Sequence, residues 1–139
     1  TIEAIISPFP YQDKVIFKNV TIKERLQING GVFSIDNLTT QQTRDTMTNG
    51  IGITSGAKGT ISGFKNNNTI RNPVIYCHGS STLTINDGDF KGIYTTQFPD
   101  IVCSGINSFI YIKTGVQGST QEQDGGKIYT NQLLPTRSI

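Results

Sequence analysis

The sequence predicts an all-β chain of stacked coils, and three observations carry that prediction. Gly, Asn, Thr, Ser and Ile are abundant while Leu and Ala are scarce, with 15 Gly among 139 residues. Such a composition favours strands and turns over helices. Second, the stretch from Val74 to Gly118 repeats itself. Val74-Ile75-Tyr76-Cys77-His78-Gly79, then Leu83-Thr84-Ile85 and Gly88, returns as Asp100-Ile101-Val102-Cys103-Ser104-Gly105, then Ile110-Tyr111-Ile112 and Gly115. The two cysteines lie 26 positions apart and the two closing glycines 27. A period of that size marks supersecondary units that stack on one another. Third, Leu26-Gln27-Ile28-Asn29-Gly30-Gly31-Val32-Phe33 matches Leu83 to Phe90 at five of eight positions with a constant offset of 57, which reads as two coils plus an insertion.

Residues 1–14 open with an apolar run, Ile2 to Ile6, followed by Ser7-Pro8-Phe9-Pro10. Each proline lacks a ladder donor, so this segment is expected as an arm or cap rather than a central strand. The coiled body is expected over 15–130. In its first coil, 15–35, Val15-Ile16-Phe17, Val20-Thr21-Ile22 and Leu26-Gln27-Ile28 have strand character. Residues 36–50 are polar and rich in Thr and Gln, and read as an insertion loop. Extra residues in stacked units collect on one face, often the working one. A helix from Thr40 to Met47 has too few apolar positions to anchor it.

The second coil, 51–64, aligns Ile51 to Gly56 with Val74 to Gly79 at an offset of 23, and Gly59 to Ser62 with Leu83 to Asn86 at 24. Lys65-Asn66-Asn67-Asn68 reads as a polar turn, because Asn tolerates positive φ. Pro73 marks the entry to the third coil, and the fourth ends near Gly118. Residues 119–126 read as a polar loop, Lys127 to Thr130 as a last strand, and 131–139 as a frayed tail.

Parallel stacking places inward side chains over their equivalents one rung away, about 4.8 Å distant. Cys77 is then expected over Cys103, Leu83 over Ile110 and Ile85 over Ile112. Two cysteines are not a disulfide framework. A bond between stacked cysteines is sterically conceivable, but free, buried thiols are the expected state. One His and two Cys lack a recognised ligand spacing, so no metal or other cofactor is expected.

Charged residues make up 16% of the chain and the net charge is +2. That is too weak a field to imply nucleic acid as a partner. No apolar run approaches the ~20 residues that span a bilayer, so membrane insertion is not expected.

The segments Leu26 to Phe33, Gly59 to Phe64, Leu83 to Phe90 and Ile110 to Gly115 resemble the right-handed single-stranded parallel β-helix of the pectin-lyase-like superfamily. Phage tailspikes and many bacterial surface proteins share that fold. The resemblance implies about four to five coils over residues 15 to 118. It names no function, since a fold hosts many. An antiparallel β-sandwich or jelly roll, with the repeats as similar hairpins, is the alternative architecture.

Enzymes of the resembled superfamily act on acidic or complex polysaccharides through clustered carboxylates. The corresponding candidates here are Asp87 and Asp89, with Asp100 nearby, since glycoside hydrolysis needs a carboxyl pair at controlled separation. Against this, Asn86-Asp87-Gly88 also suits a turn, and no carboxylate recurs on the neighbouring coils. His78, within Cys77-His78-Gly79-Ser80, partly resembles a Gly-His-Gly motif but departs from it at the first Gly; the aligned positions on other coils are Ser55 and Ser104, so a polar coil corner is the preferred reading. Tyr11, Tyr94, Phe98, Tyr111 and Tyr129 are candidates for a sugar-stacking platform, or else they cover the core. With no nucleophile elbow, phosphate loop or metal cluster, the expected function is a non-enzymatic structural or binding module. Its expected setting is a virion or the cell exterior, as part of a phage or viral spike, fibre or capsid. Its expected partners are further copies of itself (a homo-oligomer, a trimer foremost), other subunits of an assembly, and surface polysaccharide. A carbohydrate-active enzyme fragment using Asp87 and Asp89 is the alternative.

Overall fold

A computed structural model of the chain describes residues 5–7 (backbone only), 14–43, 50–69, 73–92 and 99–130. Among these there is no helix; strands form two sheets, and every pairing between them is parallel. The first sheet runs in the order β1 (Ile5–Ser7), β3 (Leu26–Asn29), β5 (Ile51–Thr54), β8 (Ile75–Cys77), β11 (Ile101–Ser104) and β14 (Thr120–Gln123). The second is built on two long strands, β2 (Lys14–Ile22) and β4 (Val32–Thr40). From β4 one arm continues through β6 (Lys58–Ser62), β9 (Thr82–Ile85), β12 (Phe109–Ile112) and β15 (Lys127–Thr130). The other continues through β7 (Phe64–Asn66), β10 (Gly88–Asp89) and β13 (Val116–Gln117).

The division into arms has a local cause. Asn19, Asn37 and Gly63 have φ of 56°, 58° and 66° and lie side by side in register. A left-handed residue interrupts an extended strand, and Asn and Gly accept it at the least steric cost. Asn37 Nδ2 donates to Asn19 Oδ1 at 2.6 Å across the bend.

The core lies between the sheets and is built of columns. On the first sheet Leu26, Ile51, Ile75 and Ile101 form one column, and Ile28, Ile53, Cys77 and Cys103 form another. On the second, Phe33, Gly59, Leu83 and Ile110 are in register, as are Ile35, Ile61, Ile85 and Ile112. All but Gly59 are buried. Burying one such aliphatic side chain contributes about 1.5–3 kcal/mol relative to leaving it in water. Gly59 breaks its column for a steric reason: a Cβ there would stand 2.5 Å from the Phe33 ring. Farther along, the Phe64 and Phe90 rings stack with centroids 4.3 Å apart.

The expected ladders Cys77–Cys103, Leu83–Ile110 and Ile85–Ile112 are register pairs, and so are Gly59–Leu83 and Ile61–Ile85. Other expectations are corrected. Leu83–Ile85 pairs in parallel on both sides, which removes the antiparallel sandwich. The 57-residue match joins segments that are not equivalent, since Leu26 to Asn29 lies in the first sheet and Leu83 to Ile85 in the second. What it detects is a strand–turn–strand unit, not a rung. Ile51 pairs with Ile75 rather than Val74, a shift of one residue that decides which side chains point inward. Residues 36–40, placed in the insertion loop, complete β4. Lys65 and Asn66, expected in a turn, are strand residues beside Thr39 and Thr40. Half of the 119–126 loop, Thr120–Gln123, is β14, paired with β11. Ile5–Ser7, within the expected arm, pairs with Leu26–Ile28. The expected tail, 131–139, lies outside the described residues, as do positions 44–47 of the weak helix; Gln41–Thr43 are not helical.

Candidate functional site

The two sheets are joined at two kinds of corner. Turns from the first sheet to the second are short and contain positive φ, as at Gly79-Ser80 (63° and 63°). The return from the β7–β10–β13 arm to the first sheet is different. After β13, residues 118–119 suffice, whereas 41–50, 67–74 and 90–100 make the same journey by longer routes. The long connections therefore leave from one corner. Segments 44–49, 70–72 and 93–98 within them lie outside the described residues.

A buried side-chain ladder holds the stems of these connections. Thr40, Gln42, Asn68, Asp100 and Ser119 are buried although polar. Gln42 and Asn68 face each other: the Gln42 N–H donates to Asn68 Oδ1 at 2.7 Å, and Asn68 Nδ2 donates to Gln42 Oε1 at 2.7 Å. Gln42 Nε2 also donates to the Glu24 and Gly50 carbonyls at 2.6 and 2.7 Å, tying both ends of the 41–50 connection. The Thr40 hydroxyl donates to Asn66 Oδ1 at 3.2 Å. Asn66 Nδ2 reaches the Phe90 and Lys91 carbonyls at 3.3 and 3.1 Å. Asp100 closes the ladder. Its Oδ1 accepts from the Gly92 N–H at 3.1 Å, and its Oδ2 accepts from the Ser119 N–H at 2.9 Å and the Ser119 hydroxyl at 3.2 Å. A buried polar group left unpaired is costly, so these reciprocal bonds fix the geometry of the corner. Beside it is an open cleft of about 560 Å³ lined by Lys23, Glu24, Gln41, Thr43 and Asn67. Its amide, hydroxyl and charged groups suit hydrogen bonding to a polar ligand.

The carboxylates singled out from the sequence stand elsewhere. Asp87 is exposed at the bend between the arms and accepts from the Gly63 N–H. Asp89, exposed on β10, accepts from the Lys91 N–H at 3.1 Å. Asp87 thus bonds backbone 24 positions earlier in the chain and Asp89 backbone two residues on, and neither lines the cleft. His78 sits at a different corner, after β8, with its ring edge-on to Tyr76 at 4.8 Å. Burial pulls its pKa below the ordinary 6.5. The corner at 79–81 and the four residues of β9 lie between His78 and Asp87 in the chain. Asp100, by contrast, belongs to the buried ladder.

Tyr111 is exposed on β12, but its ring stacks on that of Tyr129 with centroids 5.4 Å apart and planes 18° apart. Phe109 stacks on Tyr129 as well, at 6.5 Å and 21°. Rings stacked along the rung direction spend their faces on each other and leave less π-surface for a sugar. Tyr11, Tyr94 and Phe98 lie outside the described residues. Among the described residues no group of three His, Cys, Asp or Glu side chains could hold a metal ion, and no helix is long and apolar enough to cross a membrane.

Gln42, Asn68 and Ser119 were not legible as site residues. The available signal was spacing: Thr40-Gln41-Gln42 and Asn66-Asn67-Asn68 are 26 positions apart, the interval of the cysteine pair. Comparison of the chain with protein-family models, with curated proteins and with solved structures finds no match.

Proposed function

We propose that the chain is a short right-handed parallel β-helix that serves as a non-enzymatic structural and binding module of a virion or extracellular assembly. The observation that carries this reading is the clamped corner. Three long connections leave side by side from stems held by the Thr40, Asn66, Gln42, Asn68 and Asp100 ladder, an arrangement suited to holding variable segments on a rigid support. Contacts would be made by those connections and the adjoining cleft, with further copies of the chain, other subunits or a surface polysaccharide as partners. Engagement of Asp87 and Asp89 with backbone N–H groups supports a passive role over a catalytic one.

Replacing 44–49 or 93–98 with a short Gly/Ser linker should leave the urea-unfolding midpoint close to that of the parent. The same replacement should remove self-association in sedimentation velocity, or binding to immobilised polysaccharides. The parent chain should release no reducing ends or unsaturated products from a panel of acidic and neutral polysaccharides. Product release that disappears in Asp87→Asn and Asp89→Asn would replace this reading with the carbohydrate-active enzyme.

A further inference from the structure

Cys77 and Cys103 are Cα partners on the neighbouring parallel strands β8 and β11. Their Cα atoms are therefore one strand spacing apart, about 4.8 Å, within the roughly 4.4–6.8 Å that disulfides span. Both are free thiols with no solvent exposure. Above them in the column stands Ile53 and below them Glu122, so no other sulfur competes for either. The Ser81 carbonyl, 3.7 Å from Cys77 Sγ, helps to hold that thiol in place. Packing alone would be served by Val or Ala at either position.

We propose that Cys77 and Cys103 are an oxidisable pair that becomes a cross-strand disulfide when the chain folds in an oxidising compartment. The inference does not rest on the function proposed above. The oxidant is a small-molecule disulfide such as oxidised glutathione. In the still-open chain, where neither thiol is buried, one of the two cysteines reacts first, as its thiolate. That thiolate attacks one sulfur of the oxidant and expels one small thiolate, leaving a mixed disulfide. The other cysteine then gives up its proton and attacks the protein sulfur of the mixed disulfide, and the second small thiolate leaves. The protein loses two protons and two electrons, and the small disulfide becomes two thiols. Because both side chains are fully buried, the exchange belongs to the stage before β11 closes on β8. Once made, the bond is shielded from reductant.

The test is to unfold the full chain with reductant and refold it in mixed oxidised and reduced glutathione. Thiols are then blocked under denaturing conditions, and intact mass and linked peptides are measured. The expected product is a monomer without blockable thiols, lighter by two hydrogens, with the Cys77 peptide joined to the Cys103 peptide. Its thermal midpoint should lie roughly 10 °C above that of the same chain kept reduced. Two blockable thiols, a persistent glutathione adduct, or linkage only between chains would overturn the proposal. Cys77→Ser and Cys103→Ser should each abolish the intramolecular link. If either fails to fold, the oxidised and reduced forms of the parent chain decide the question by themselves.

Discussion

Asn68→Ala is the sharpest probe of the loop-bearing corner. The substitution removes both members of a reciprocal pair, the acceptor of the Gln42 N–H and the donor to Gln42 Oε1, each at 2.7 Å. Asn68 is only 4% exposed and Gln42 1%. Leaving a buried donor or acceptor unpaired costs about 1–3 kcal/mol, so two such groups give roughly 2–6 kcal/mol. The adjoining cleft, which Gln41, Thr43 and Asn67 line, admits water toward the vacated position, so the lower half of that range, about 2–4 kcal/mol, is expected. Against a total stability of about 5–15 kcal/mol for a chain this size, the change is readily measured. Urea unfolding followed by circular dichroism should show a lower midpoint with an unchanged slope. The exposed neighbour gives the control: Asn67→Ala should stay within about 0.5 kcal/mol of the parent. An Asn68→Ala variant as stable as Asn67→Ala would show that the ladder does not hold the corner.

Gly59→Val should destabilise by about 1–3 kcal/mol through overpacking against the Phe33 ring, since even a Cβ would stand 2.5 Å from that ring; adding Phe33→Ala should recover part of the loss in a double-mutant cycle. His78 has a folded-state pKa below the ordinary 6.5 because it is partly buried. Its contribution is therefore complete above that value and declines as pH falls below it, so thermal midpoints of parent and His78→Gln should diverge between pH 7 and 5 and run parallel above. Tyr111→Ala and Tyr129→Ala should couple by about 0.5–1.5 kcal/mol, the worth of a stacked aromatic pair; additive losses would mean that the observed stacking contributes nothing to stability.

Parallel stacking was legible because the inward columns repeat residue type. Cys77 over Cys103 and Ile85 over Ile112 are read from spacing alone once a coil is assumed. The same method misled where similarity followed a turn rather than a rung. Leu26-Gln27-Ile28-Asn29 and Leu83-Thr84-Ile85-Asn86 look alike because each enters a turn containing Gly, yet they belong to different sheets. The strands of the shorter arm were missed for another reason. β7, β10 and β13 are two or three residues long, too short for alternation to show, and Lys65-Asn66 carries the composition of a turn. β14 was missed because Thr120-Gln121-Glu122-Gln123 is polar, although Thr120 and Gln121 are buried. The Gln42–Asn68 pair was hidden most completely. A buried amide pair has no hydrophobic period, and its partners become neighbours only after the chain has made a full circuit.

The shortest return, residues 118–119 after β13, has a practical corollary. It shows that a circuit can close with almost no connecting chain, so most of 41–50 or 90–100 is dispensable to closure itself. Doubling the length of such a segment adds only about 0.6 kcal/mol of closure entropy, less than one buried isoleucine supplies. Foreign peptides grafted between the pinned stems at 44–49 or 93–98 should therefore be carried without shifting strand register, which makes the chain a natural display scaffold.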